Sequence, residues 1–273
     1  KYMAEAAWSR DNVIGFEIMN EPHHGTEDEE EWAESTLPIF YEEVGADIRS
    51  VAPNALIFFD SSGLDAATQE PLLKRPQGKD FVFAPHYYLM SIYTGGELDM
   101  DEIPKGLARW AAKSLAWDLP VLVGEFGIYR VLPEAEQYFT VIMNALDSHL
   151  LHGTAWEVST TQDDWNDEGM SLIAPDGQET DGLQALIRVY PSAIDGEAIA
   201  FRYTPSTRVA TLTYDARGNG LTELVVPTQL YPRGVDISVD GIEACTAHES
   251  AASRVVVRTE TAGKLTVTLT PIP

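Results

Sequence analysis

Short, nearly continuous apolar runs alternate with amphipathic stretches from the start of the chain to about residue 190. Residues 1–9 have the spacing of a helix end, and 12–19 form an apolar run that predicts a strand. Residues 29–51 place Trp32, Leu37, Phe40, Val44 and Ile48 at helical intervals, with acids in the first turn, where the helix dipole favours them. Residues 55–59 and 81–86 predict the next two strands, the latter with an irregular end at Pro85. A helix over 101–115, a strand over 120–125, a long helix over 133–151 and a strand over 153–158 follow, then a short helix over 182–189.

Strands that are apolar on both faces and alternate with helices predict a parallel sheet covered on both sides. An open doubly wound sheet and part of an eight-stranded barrel both fit this pattern. No Gly-rich phosphate loop follows any strand, which weighs against the open nucleotide-binding sheet. Glu21, His86, Glu125 and Trp156 each end a strand, and barrel enzymes carry their sites at that carboxyl face. The reading is therefore α/β: the last five strand–helix units of a (β/α)8 TIM barrel over 1–190, with three earlier units outside the chain. From about 195 the period changes to two, in short Val- and Thr-rich segments broken by Gly, Pro and Asn. Residues 195–273 are expected to form an all-β sandwich, joined to the barrel near Tyr190–Ile194.

The formal net charge of -25, carried almost entirely by residues 1–194, argues against a nucleic-acid partner. No apolar run approaches the ~20 residues that cross a bilayer. The lone Cys245 can form neither an internal disulfide nor a Cys-rich metal site, and reads as a small buried hydrophobe. The opening Lys1–Trp8 looks like the inside of a helix, so the chain reads as a fragment of a secreted protein whose signal lies upstream.

Asn20-Glu21-Pro22 and Gly124-Glu125-Phe126-Gly127 put one carboxylate at each of two strand ends. A pair of this kind suits glycoside hydrolysis, in which one acid gives a proton while the other attacks or activates water. Taken singly, each motif fits a turn or cap equally well; together they favour chemistry. Tyr88 could hold a carboxylate ionised, His86 could bond it or a sugar, and Asn20 could bond a sugar hydroxyl. Trp156 offers an aromatic platform, and Glu157 beside it is a rival acid whose side chain should point the other way. His23 and His24 could face the cleft but lack partners at metal-ligand spacing, so no metal and no cofactor is expected. The polar loop Asp163–Glu168 is long enough to touch substrate.

On Ile14-Gly15-Phe16-Glu17-Ile18-Met19-Asn20-Glu21-Pro22, His86-x-Tyr88, Gly124-Glu125-Phe126-Gly127 and Trp156, the chain resembles glycoside hydrolase family 5. The resemblance implies a barrel fold and a retaining mechanism, with Glu21 as acid/base and Glu125 as nucleophile. Asn20, His86, Tyr88 and Trp156 would hold the glycone or orient the carboxylates. The Tyr190–Gly196 join and the segment Asp164–Leu172 are similar to those of endoglycoceramidase-like members, which implies a glycolipid substrate. Other members cut polysaccharides or simple β-glucosides. A non-catalytic carbohydrate- or lipid-binding protein is the rival of another class, and oligomeric state is left open.

Overall fold

The computed structural model describes residues 1–159 and 168–273. The chain divides into two compact units, Lys1–Tyr129 with Leu151–Val158, and Arg130–Leu150 with Ser159–Pro273.

The first unit runs α1 (Tyr2–Ala7), β1 (Gly15–Glu17), α2 (Glu29–Glu31), a π-helical stretch (Trp32–Thr36), α3 (Leu37–Arg49), β2 (Leu56–Phe59) and α4 (Asp65–Thr68). It continues through β3 (Phe81–Phe83), β4 (His86–Tyr87), α5 (Met90–Thr94), α6 (Glu102–Trp117) and β5 (Leu122–Phe126), and closes on β6 (His152–Ala155). The strand expected over 81–86 is thus split in two, at the proline that removes a ladder donor. β1, β2 and β3 pair in parallel, as do β4, β5 and β6. A parallel bridge between Phe83 and Val121 joins the two ladders. Neighbours in space are neighbours in sequence, the order of a singly wound barrel wall and not the reversal of a doubly wound sheet.

One face of this wall buries aromatics against the helices. Phe59 meets Phe81 edge-on with centroids 5.6 Å apart, and Phe83 meets Trp110 and Trp117 at 5.5 and 5.0 Å. The other face carries the chemistry. Strict alternation would put Glu125 on the buried face of Val123. Instead β5 advances three positions, from Val123 to Phe126, where β6 advances two, from Gly153 to Ala155. This bulge brings Phe126 to the buried face and turns Glu125 out of it, a familiar way of re-aiming a side chain.

The second unit holds α7 (Ala135–His149) and α8 (Asp181–Leu186), then eight strands. These are β7 (Tyr190–Ala193), β8 (Gly196–Thr204), β9 (Val209–Ala216), β10 (Leu221–Val225), β11 (Val235–Gly241), β12 (Ala244–Glu249), β13 (Arg254–Thr259) and β14 (Gly263–Pro271). They form two antiparallel four-stranded sheets, β12-β13-β10-β7 and β11-β14-β9-β8. Leu212, Leu224, Val255, Val267 and Leu269 fill the core between them. Residues 190–193, at the expected join, form strand β7, which pairs with β10. One expectation is corrected. Cys245 is exposed on the edge strand β12, not buried.

Candidate active site

Glu21 follows β1 in a loop, and its backbone takes a left-handed φ of 39°. For a residue with a Cβ this costs ~1–3 kcal/mol and persists only where the surroundings impose it. Here the Glu21 amide donates to Asp60 Oδ2 at 3.1 Å. Gly63 leaves the space for its side chain, since a Cβ there would stand 3.1 Å from Glu21 Oε2.

His86 is buried and central. Its Nδ1 lies 2.7 Å from Glu21 Oε1 and 3.4 Å from Glu125 Oε2, and its Nε2 faces Asp60 Oδ2 at 3.5 Å. Gly124 permits this close packing, as a Cβ would come within 3.2 Å of the imidazole ring. Glu125 stands in register with His86 across the β4–β5 ladder and accepts from the Tyr88 hydroxyl at 2.9 Å.

Protons in this cluster are shared. Burial lowers the proton affinity of His86, but the bond to Glu21 and the charges of Asp60, Glu125 and Glu21 outweigh it, raising the pKa to about 9. Burial pushes Glu125 up, while His86 and the Tyr88 hydroxyl pull it down and Glu21 and Glu17 add to the rise. Burial also raises Asp60, against His86 and the amides of Ser61 and Glu21. Asp60 and His86 cannot both gain fully, because an ionised Asp60 is part of what keeps His86 charged. At neutral pH we place the proton on His86, which faces three carboxylates with only burial opposing. Glu17 reaches solvent on the same face, yet crowding by protein raises its pKa, with His86 pulling it down.

Of the residues singled out in the sequence, Glu21, His86, Tyr88 and Glu125 come together. Asn20 is exposed and its amide bonds to no described residue. Trp156, half-buried just beyond β6, is tied to the wall through its backbone N–H to Phe126 O at 2.8 Å. His23 is exposed, stacks on His24 at 4.5 Å and accepts from Gly25 N. Residues 163–167 lie outside the described residues. Asp60 was missed in the sequence: it follows an apolar run as Glu21 does, but no motif surrounds it.

One atom each of Glu21, His86 and Glu125 fall within 4.8 Å of one another, a spacing that could also ligate a cation. The direct Glu21–His86 hydrogen bond favours a proton network, since a metal would have to replace it.

A model of cellulase (glycosyl hydrolase family 5) matches residues 1–162, and one of the glycoside hydrolase family 5 C-terminal domain matches 188–269. The chain belongs to glycoside hydrolase family 5, with a catalytic domain of the TIM-barrel fold and a C-terminal domain of antiparallel sheets. Its fold is similar to that of endo-glycoceramidase II from Rhodococcus sp. in a cellobiose-like imidazole complex. The TM-score is 0.83 at 22% identity, over 100% of this chain and 62% of that one. The ganglioside GM3 complex of the same enzyme gives 0.82 at 21%, over 100% and 62%. Sterylglucosidase 1 of Cryptococcus neoformans gives 0.67 at 14%, over 88% and 44%. The chain thus spans less than two thirds of the length of these proteins. No curated protein matches its sequence.

Proposed function

We propose that the protein is a retaining β-glycosidase in which Glu125 is the nucleophile and Glu21 the acid/base. The observation that carries this reading is the pairing of both carboxylates on one imidazole, with one oxygen of each within 4.8 Å. Retaining enzymes hold their carboxyl groups about 5–5.5 Å apart, whereas inverting ones need ~6.5–9.5 Å to admit a water between. Tyr88 donates to Glu125 and so favours the ionised, attacking form. The proton that Glu21 delivers passes to it from His86 Nδ1 across the 2.7 Å contact with Glu21 Oε1, so that Glu21 is the carboxylic acid when the glycosidic bond breaks.

In the first step a Glu125 oxygen bonds to the anomeric carbon while the glycosidic oxygen leaves with the proton from Glu21. Forming the ester removes the negative charge of Glu125. Glu21, now a carboxylate, takes a proton from water, which attacks the same carbon and releases Glu125. Trp156, Asn20 and His23 are assigned to holding the sugar.

A glycolipid is the proposed substrate class. The fold likeness to an enzyme solved with ganglioside GM3 and to a sterylglucosidase supports this choice over a polysaccharide. Incubation of the enzyme with lactosylceramide and with cello-oligosaccharides, read by glycan release, tests the class. Release from the glycolipid alone is expected, and cleavage of the oligosaccharides alone would replace the reading with an endoglucanase. For the mechanism, Glu125→Gln is expected to abolish turnover and Glu21→Gln to reduce it strongly. Turnover at the wild-type rate by Glu125→Gln, or sugar binding by the wild-type protein with no hydrolysis of any glycoside, refutes it.

A further inference from the structure

Asp60 is the buried carboxylate at this site that the two-acid mechanism does not use. It follows β2 and is 1% exposed. Its Oδ1 accepts from Ser61 N at 2.7 Å and its Oδ2 from Glu21 N at 3.1 Å, and the same Oδ2 faces His86 Nε2 at 3.5 Å. Its own carbonyl is anchored by the hydroxyl of Tyr41, at 2.9 Å. One side chain therefore touches both the backbone of Glu21, in its left-handed conformation, and the far nitrogen of the imidazole whose near nitrogen bonds the Glu21 carboxyl.

Resting on the assignment of Glu21 as acid/base, we infer that Asp60 is its positioning residue, holding the Glu21 backbone and the His86 ring in the pose that delivers the proton. The argument is one of geometry. A carboxylate at Nε2 favours a proton on that nitrogen, and only a doubly protonated ring can also offer Nδ1–H to Glu21 Oε1. The amide bond from Glu21 fixes the direction in which its side chain leaves the loop. Glu125 is held differently, by Tyr88 and the β5 bulge. Loss of Asp60 should accordingly weaken protonation of the leaving group and spare nucleophilic attack. The groups facing Asp60 are His86, Glu21, Ser61, Glu17 and Tyr41, and of these only His86 and Glu21 move a proton in the reaction.

The test compares Asp60→Asn with wild type on two β-glycosides of one sugar. One has an alkyl leaving group, which must be protonated as it departs, and the other a dinitrophenyl group, which departs unaided. General acid catalysis contributes ~10²–10⁴-fold, so kcat/KM on the alkyl glycoside should fall about tenfold to a hundredfold. On the dinitrophenyl glycoside it should change by less than about threefold. Equal losses on both substrates, or none, overturn the inference while leaving the two-acid reading intact. Glu125→Gln serves as the reference: inactivity on both substrates upholds that reading, and wild-type turnover sinks the reading and the inference together. If Asp60→Asn does not fold, imidazole nitrogen spectra of the wild-type enzyme decide. Both His86 nitrogens protonated at neutral pH is the expected result, and an unprotonated Nε2 overturns the role.

Discussion

Replacing Tyr88 by phenylalanine removes the hydroxyl that donates to Glu125 Oε2 at 2.9 Å and leaves the ring packed against Tyr93, centroids 5.8 Å apart. A hydrogen bond to a charged group is worth ~1.5–3 kcal/mol. At ~1.36 kcal/mol per pKa unit, its loss should raise the Glu125 pKa by about one to two units. The Glu125 side chain is 18% exposed, so water can replace part of the donor and the lower figure is expected. The sign follows from the ionised form: Tyr88 lowers the pKa, so removing it raises the pKa. The assay is the pH dependence of kcat/KM on a dinitrophenyl β-glycoside, which isolates the proposed attack by Glu125 from acid catalysis. The acidic limb should move up by about one unit, with a plateau within about threefold of wild type. A limb that stays in place, or a profile that drops uniformly at every pH, would refute the view that Tyr88 holds Glu125 ionised.

Stability should decline as the solution is made more alkaline. Burial raises Asp65 to about 6 and Asp147 to about 7. Each then binds its proton more tightly folded than unfolded, so its contribution is full in acid and is lost as pH rises through the folded value. His86 adds to the trend, since its contribution is full below its usual value and fades as pH approaches about 9. Thermal unfolding should therefore begin at a lower temperature at about pH 9 than at about pH 6, and the opposite order contradicts these shifts. In the second unit Arg188, 2% exposed, pairs with Asp147 and lies over the ring of Tyr203. Arg188→Met leaves a buried acid without its partner and should cost ~3–5 kcal/mol in denaturant unfolding, whereas the further change Asp147→Leu should recover most of it. If the single variant is as stable as wild type, the pair contributes nothing.

Much of the wall could be read in the sequence because β1, β2, β3 and β5 lie in apolar runs separated by helical spacing. The sandwich was legible where its strands alternate, as in β9, β13 and β14, whose inward residues are buried one in two. β7 and β12 show no such alternation, and they are the edges of one sheet. An edge strand buries little, so it carries no apolar alternation, and its open side tolerates Pro191. The exposure of Cys245 has the same origin. At the site, motifs drew attention to Glu21, His86, Tyr88 and Glu125, but Asp60 has no local signature. Its importance comes from what its carboxylate meets across the wall.

By itself, then, the sequence determined the run of elements, the change of period near residue 195 and two carboxylates at strand ends, because these depend on local spacing and side-chain chemistry. Tertiary structure alone decided that the β5 bulge turns Glu125 away from the buried face. It alone set both glutamates on one imidazole and put Asp60 behind that ring. Register and bulges depend on the partner strand, and a proton network depends on distances between residues far apart in the chain; neither is written in any single segment.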